Sequence, residues 1–529
     1  MSDFKPVFGI DLGTTFSAIS YIDKHDKPVV IANQEGKTTT PSVVHFYDKD
    51  SFVVGDEALN MLMADQQNTV SFIKRRMGDS DFKLNIHGKE HTPQEISAFI
   101  LKKLKRDAES YFRNLGMESE VKDAVITVPA YFAMEQKGAT KEAGELAGLN
   151  VLMIMNEPTA AALAFGINKL GKEQTVFVLD LGGGTFDVTI LGIKGKEIRM
   201  IASDGDPELG GKEWDDVLVS YCSGQFKEKY GKDPQDDPQS YQELYERVLR
   251  AKTRLSTLPK APISVSHEGN RENLEITKED FEGLSIDLLS QCKSMSERVL
   301  KKANKTWGDI DTILLVGGST YMPMIRNMIK EISGKEPSTD LNPDQCVAIG
   351  AAYQARYRFL EDEVEKVREK KGEVEAEKAK RELLGSLPDI KIKESVPKSI
   401  GIIILDEKGN EAVKEMIPEQ TGIPYRVEED FGYAYDNMTS VMAEVTEGKG
   451  YVRDEVCVIG KILLENLPPR PKGTPIQVTY TYNRDKTLDI EVIDVETSKK
   501  QEGKVVLAGS MTDEEKKASQ EYIAKMKQE

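Results

Sequence analysis

The chain has 529 residues, 39% of them hydrophobic and 30% charged, with a net charge of −18 and a pI near 5.1. That length exceeds what one hydrophobic core holds and calls for three or four domain-sized units. The acidic balance argues against nucleic acid as a partner, since phosphate backbones need a cationic face, and no apolar run approaches the roughly 18 residues of a membrane span.

The opening segment, MSDFKPVFGIDLGTT, runs straight into strand-forming residues and leaves no room for a cleavable signal. Four cysteines (Cys222, Cys292, Cys346, Cys457) lie far apart without a C-x-x-C pair, which reads as a reducing, cytoplasmic setting and no structural zinc. Over residues 1–357 the apolar runs VFGIDLG, AVITVPA, VLMIMNEP, TVFVLDLGGGTFDVTIL and TILLVGGS each end in turn residues. Helical stretches separate them, the alternation of an α/β architecture. In TPQEISAFILKKLKRDAESYF, Ile96, Phe99, Ile100, Leu104, Ala108 and Tyr111 recur at helical spacing behind a Thr92-Pro93 start.

Residues 358–397 change to Glu, Lys and Arg and read as a charged helical insertion followed by an interdomain linker. The insertion is either one solvated helix or two helices broken at Gly372, with Glu375–Lys378 and Glu377–Arg381 at pairing distance. Residues 398–509 turn to short β-prone segments broken by Gly, Asn, Asp and Pro, the pattern of a β-sandwich. Residues 510–529 predict one short helix, with Thr512 as its N-cap and acids in its first turn.

Two stretches share a grammar. In VFGIDLGTTFSAIS and in FVLDLGGGTFDVTI, an aspartate (Asp11, Asp180) closes an apolar run, glycine follows, and a threonine and a phenylalanine resume the strand. Glycine at the tip of such a hairpin lets backbone N–H groups face a phosphate, and Thr14, Thr15 and Thr185 add hydroxyls. Asp11 and Asp180 suit a hydrated divalent cation, which takes oxygen ligands. Two such hairpins in one chain predict a duplicated domain that clamps a polyphosphate from both sides. A third turn, GGSTYMP at Gly317–Pro323, follows a strand and opens a helix, as a neighbour of a nucleotide would, or as any tight strand-to-helix turn does.

In the order GIDLGTTFSAIS, NEPTAAALAFG, DLGGGTFDVTI, GGSTYMP and NPDQCVAIGAAYQA, these stretches resemble the heat-shock protein 70 (DnaK) chaperone family. The first and third are shared with the wider actin and sugar-kinase superfamily, whereas the second beside the third is specific. The likeness is strong over residues 5–355 and weaker over 395–500, where GIPYRVEEDFGYAYDN looks like the family's substrate-binding β-domain. It implies an α/β, actin-like duplicated ATPase domain, then a β-sandwich that binds extended apolar peptides, with ATP/ADP, Mg2+ and K+ as cofactors.

Carried over by position, the resemblance puts Asp11, Glu157 and Asp180 around the magnesium through water, with Asp187 near a potassium ion. Lys74, by itself an ordinary surface lysine, matches the one that positions the attacking water. Gly13, Thr14, Thr15, Gly182, Gly183, Gly184 and Thr185 would hold the phosphates. Gly210, Gly211, Lys252, Ser256, Gly317, Gly318, Ser319 and Asp344 would border the ribose and base. Such a site works by positioning and electrostatics rather than covalent chemistry. In the β-domain Ile402, Phe431, Val441 and Leu467 match an apolar peptide pocket, and Leu405 and Ala434 an arch over the peptide. The plainer reading of those four is sandwich core.

Several positions depart from the family. Phe16 replaces a tyrosine near the ions, Tyr321 an arginine that stacks on adenine, Met153 an arginine associated with J-domain co-chaperones, and Lys137 an arginine that relays signals between domains. The linker IKIKE, Ile390–Glu394, interrupts a nearly all-leucine segment with Lys391 and Lys393, which a buried docking strand hides poorly unless one edge stays apolar. The helical lid over the peptide is expected to be missing. Unfolded polypeptides are the implied clients, with a J-domain co-chaperone and a nucleotide exchange factor as implied partners. The alternative is a nucleotide-switched scaffold without general folding activity.

Overall fold

The computed structural model describes residues 5–117, 120–167, 173–384, 390–393, 395–396, 398–406, 408–483, 487–504 and 511–529. Glu394 of the linker motif and the expected boundary at 509–510 lie outside them. Among the described residues no helix is long and apolar enough to cross a membrane, and all four cysteines are free thiols.

The duplication is visible in the sheets. In the first half, the strands run Asn150–Asn156, Asp123–Val128, Phe8–Asp11, Phe16–Ile22 and Pro28–Val30. In the second they run Thr312–Val316, Gln174–Leu181, Phe186–Lys194, Glu197–Asp206 and Lys391–Lys393. Each glycine motif is the hairpin at the centre of its sheet, so two copies of one local grammar occupy equivalent places.

The helices Glu157–Gly166 and Cys346–Lys371 pack against both halves, in one apolar cluster with Val7, Val176 and Val178. They approach so closely that a Cβ on Gly350 would lie 1.8 Å from the Ala160 carbonyl oxygen. The alanine-rich runs NEPTAAALAFG and AIGAAYQA are the packing condition for that approach, where any larger side chain would overfill the contact.

After Lys371 the chain breaks at Gly372, with a φ of +84°, and a second helix, Glu373–Leu384, folds back so that Leu384 packs against Tyr357 and Leu360. Of the two expected forms the broken one is realised. The linker then forms the outermost strand of the second sheet, Lys391–Lys393, parallel to Glu197–Asp206. Ile390 and Ile392 turn into the core between the halves, while Lys393 pairs with Glu197 at 2.9 Å. One edge stays apolar and the period-2 alternation of a strand keeps Lys393 in solvent.

The β-sandwich has the predicted form. One sheet runs Glu411–Ile417, Ile400–Leu405, Val441–Glu447, Cys457–Leu464; the other runs Tyr425–Gly432, Pro475–Tyr482, Leu488–Asp494, Lys499–Lys504. Their inner faces close over Ile402, Val445, Ile462, Val478 and Ile490. Met134 of the duplicated α/β domain joins that cluster, and its N–H donates to Glu447 at 3.3 Å, so the two domains touch.

The C-terminal helix, Asp513–Lys525, starts at Thr512 in a capping box with Glu515, as expected. It docks on the first half of the duplicated α/β domain, where Ile523 and Met526 are buried in that half's core. The last residues, Lys527–Gln528, add a parallel strand to Ser51–Val54. Lys102 donates to the Met526 carbonyl at 3.1 Å, Arg106 to the Gln528 carbonyl at 2.6 Å, and Ser519 to Glu95 at 2.7 Å. Burial alone would raise the Glu95 carboxyl, but hydrogen bonds from His91 and Ser519 and the charge of Lys89 hold it down to about 2. An Ile523→Asp variant is expected to lower stability by about 3 kcal/mol or more, because a carboxylate enters a dry core. Amide exchange should then accelerate along Ser51–Val54 while strand Gln174–Leu181 keeps its protection; equal loss in both places would contradict this attachment.

Candidate active site

Both glycine hairpins line one cavity of about 790 Å³ between the two halves. They also touch each other. A Cβ on Gly183 would lie 1.7 Å from Thr15 Oγ1, and one on Gly184 would lie 2.4 Å from Thr14 Cγ2. The glycines therefore allow one turn to approach the other, in addition to leaving room for a ligand. Thr14, Thr15, Gly13, Gly182, Gly183 and Thr185 all stand in the wall. Gly184 and Gly210 stand behind it, against each other: a Cβ on Gly210 would lie 2.5 Å from the Gly184 nitrogen.

Lys74 is no surface lysine. It sits in a short turn, Ile73–Arg76, buried, with Nζ 2.6 Å from Glu157 Oε1 and 5.8 Å from the centre of the Phe132 ring. Glu157 opens the helix Glu157–Gly166, where an acid complements the positive helix end. Asp11 accepts from Thr127 at 3.3 Å. Asp180 and Asp187 are opposite partners in the second hairpin, so their side chains share a face.

Glu157 thus pairs with the Lys74 ammonium, and Asp11, Asp180 and Asp187 lie within reach of its charge. Burial, then the charge of Glu157, pushes Asp11 up to about 7 against the opposing pull of Lys74. Burial first, and then Glu157 and the neighbouring aspartates, push Asp180 and Asp187 well above the ordinary carboxylate range. Asp187 Oδ1 and Thr15 Oγ1 are buried and have no hydrogen-bond partner among the described residues. Asp187 itself is set back from the wall.

The same wall also holds Gly211, Lys252, Ser256, Gly317, Gly318, Ser319 and Asp344. Lys252 is held by Asp215 at 2.7 Å and by the Gly211 carbonyl at 2.8 Å, and Ser319 donates to the Gly182 carbonyl at 2.8 Å. Burial pushes Asp215 up to about 6 despite that lysine. Phe16 and Tyr321 are 50% and 48% exposed in the wall, two ring faces open to a ligand. Sequence reasoning missed Asp215 and Arg75. Asp215 lies four residues after Gly211, one helical turn, which is the signal that could have found it. Arg75 lies in a Lys-Arg-Arg run that reads as solvated charge.

In the sandwich, Ile402 and Leu467 are buried in the core cluster, and Phe431 and Val441 are half-buried against it. Leu405 ends strand Ile400–Leu405 and Ala434 follows strand Tyr425–Gly432, both half-buried. Met153 lies in the core between the halves, where Gln354 Nε2 stands 3.7 Å from its sulfur.

The sequence model of the family described as Hsp70 protein matches residues 7–370 and 374–529, nearly the whole chain. The chain belongs to the Hsp70 family. It is 42% identical over 503 residues to the chaperone protein DnaK of Thermotoga neapolitana, covering 94% of this chain and 79% of that one. It is 40% identical over 502 residues to the chaperone protein DnaK of Thermosipho africanus, with the same coverage. Hsp70 chains are ATPases, so this chain binds nucleotide.

The buried carboxylates make a testable pattern in nucleotide-free, magnesium-free protein. A carboxyl raised in the fold favours unfolding progressively as pH climbs from its unfolded value, 3.8, to its folded value of about 7. Asp11→Asn is therefore expected to stabilise the protein by on the order of 2–4 kcal/mol above pH 7, an advantage that shrinks to nothing near pH 4. Denaturant melts of both proteins across pH 4–8 check it, and a gap independent of pH would contradict it.

Proposed function

We propose that Lys74, held by Glu157, positions the water that attacks the γ-phosphate of ATP and offsets the charge that develops there. The chain is an ATPase and an ATP-dependent molecular chaperone of the Hsp70 family. The observation that carries the mechanistic reading is the buried Lys74–Glu157 pair, 2.6 Å long, facing two touching glycine hairpins in one cavity. Gly13, Thr14, Thr15, Gly182, Gly183 and Thr185 hold the phosphates, while Lys252, Ser256, Gly317, Gly318, Ser319 and Asp344 border the ribose and base.

Asp11, Glu157 and Asp180 fit a hydrated magnesium ion. Asp11 and Asp180 are pushed up by desolvation and by neighbouring acids against the pull of Lys74, so added positive charge would relieve them. A magnesium ion supplies that charge to the phosphates when bound. Asp187, with a buried oxygen that lacks a partner, suits a potassium ion.

The β-sandwich takes the extended apolar segment of a client, with Ile402, Phe431, Val441 and Leu467 as the pocket and Leu405 and Ala434 arching over it. Coupling runs through the linker strand, which adds to the sheet that carries the second hairpin. A J-domain co-chaperone and a nucleotide exchange factor are the proposed partners. The free thiols support a cytoplasmic, reducing setting. The domains are proposed as residues 1–357, 358–397, 398–509 and 510–529.

Single-turnover hydrolysis with and without an extended apolar peptide tests the reading. Lys74→Ala is expected to lower the rate by about 10²-fold or more while ATP still binds, and peptide is expected to accelerate the parent protein. Hydrolysis that survives Lys74→Ala would remove the lysine from its role. For the pocket, Val441→Glu is expected to weaken binding of an apolar fluorescent peptide by about tenfold, since a charge enters the apolar seat. Unchanged affinity in that variant would return Val441 to plain core.

A further inference from the structure

Arg75 follows Lys74 in the same short turn and is absent from the cavity wall, yet it crosses from the first half of the ATPase domain to the second. Its Nε and Nη2 donate to the Gly184 carbonyl at 2.9 and 2.7 Å. The same Nη2 reaches both carboxylate oxygens of Glu213, at 3.0 and 2.9 Å, and the Glu208 carbonyl at 3.3 Å. Glu213 in turn accepts from the Gly210 N–H at 2.7 Å, at the start of helix Gly211–Tyr230. Gly184 is therefore enclosed by Thr14 and Arg75 from one half and by Gly210 from its own.

The geometry has two physical consequences. In a planar trans peptide, carbonyl and N–H point opposite ways, so fixing the Gly184 carbonyl fixes the direction of the next N–H, that of Thr185 in the cavity wall. The contacts also share one guanidinium, so separating the halves by more than a hydrogen-bond length loses them together. Charge-assisted hydrogen bonds are about twice as strong as neutral ones, and the planar guanidinium fixes the direction of the pair from Nε and Nη2 to the Gly184 carbonyl.

We propose that Arg75 is a positioning residue for hydrolysis, a latch that holds the Lys74 turn against the second phosphate hairpin and slows the opening through which ADP leaves. The proposal rests on the reading of Lys74 given above and adds the control of nucleotide release to it.

The test uses the full chain with Arg75→Ala, Arg75→Lys and Glu213→Gln, measuring saturating single-turnover hydrolysis, release of a fluorescent ADP analogue, and thermal unfolding. Arg75→Ala is expected to slow hydrolysis about tenfold and to speed ADP release about tenfold. Arg75→Lys keeps a point charge without the fork and should fall between, and Glu213→Gln should move both rates the same way by less. A folded Arg75→Ala protein with both rates within about twofold of the parent overturns the latch. So does a pattern in which the three variants track the melting temperature alone. Lys74→Ala in parallel separates the two ideas, since active hydrolysis there defeats the lysine's role while ADP release from Arg75→Ala still decides the latch.

Discussion

The contact between the two glycine hairpins is the constraint on which the rest of this structure depends. Thr14 and Thr15 from the first half press on Gly183 and Gly184 from the second at distances that no side chain on those glycines would allow. Because each hairpin is the centre of its own sheet, this one contact sets the spacing of the two halves and hence the width of the cavity between them. The paired helices behind it, touching at Gly350 and Ala160, set the same spacing from the rear. Small residues are demanded twice, for the same geometric reason.

The charge arrangement follows from that closeness. Bringing the halves together gathers Asp11, Glu157, Asp180 and Asp187 where water is scarce, with Lys74 as the buried cation beside them. Such a cluster of like charges is unfavourable to the fold by itself, because each further carboxylate raises the cost of ionising its neighbours. Arg75, the next residue in the same short turn and outside the wall, makes its contacts to backbone carbonyls and one acid, which is the chemistry of holding rather than of reacting.

The sandwich is held to the ATPase domain from both ends. Its incoming linker is an edge strand of the second half, and its outgoing segment ends as a helix and edge strand on the first half. Met134 and Glu447 meet between those attachments. The sandwich is thus tied on one side to the five-stranded sheet of the second half and on the other to the separate small sheet of Ser51–Val54 in the first half. The alternation of isoleucine and lysine in the linker is compatible with this, since an edge strand has one face for the core and one for solvent.

The residues by themselves determined the two hairpins, the helix caps at Thr92 and Thr512, the break at Gly372 and the change to β-structure near residue 398. These are local: a glycine in a strand, a threonine before a helix and a period of two or 3.6 act on neighbours a few residues away. What only the tertiary structure decided are the relations across 80 to 400 residues. Lys74 reads as surface charge until Glu157 is seen 83 residues on, Arg75 until Gly184 is seen 109 residues on, and Ile523 as one face of a lone helix until it enters a core built from residues 8–154. Periodicity shows that an apolar face must be covered and that a buried charge needs a partner. It carries no information on which distant segment supplies either, because that choice is made by how the sheets stack and the chain returns.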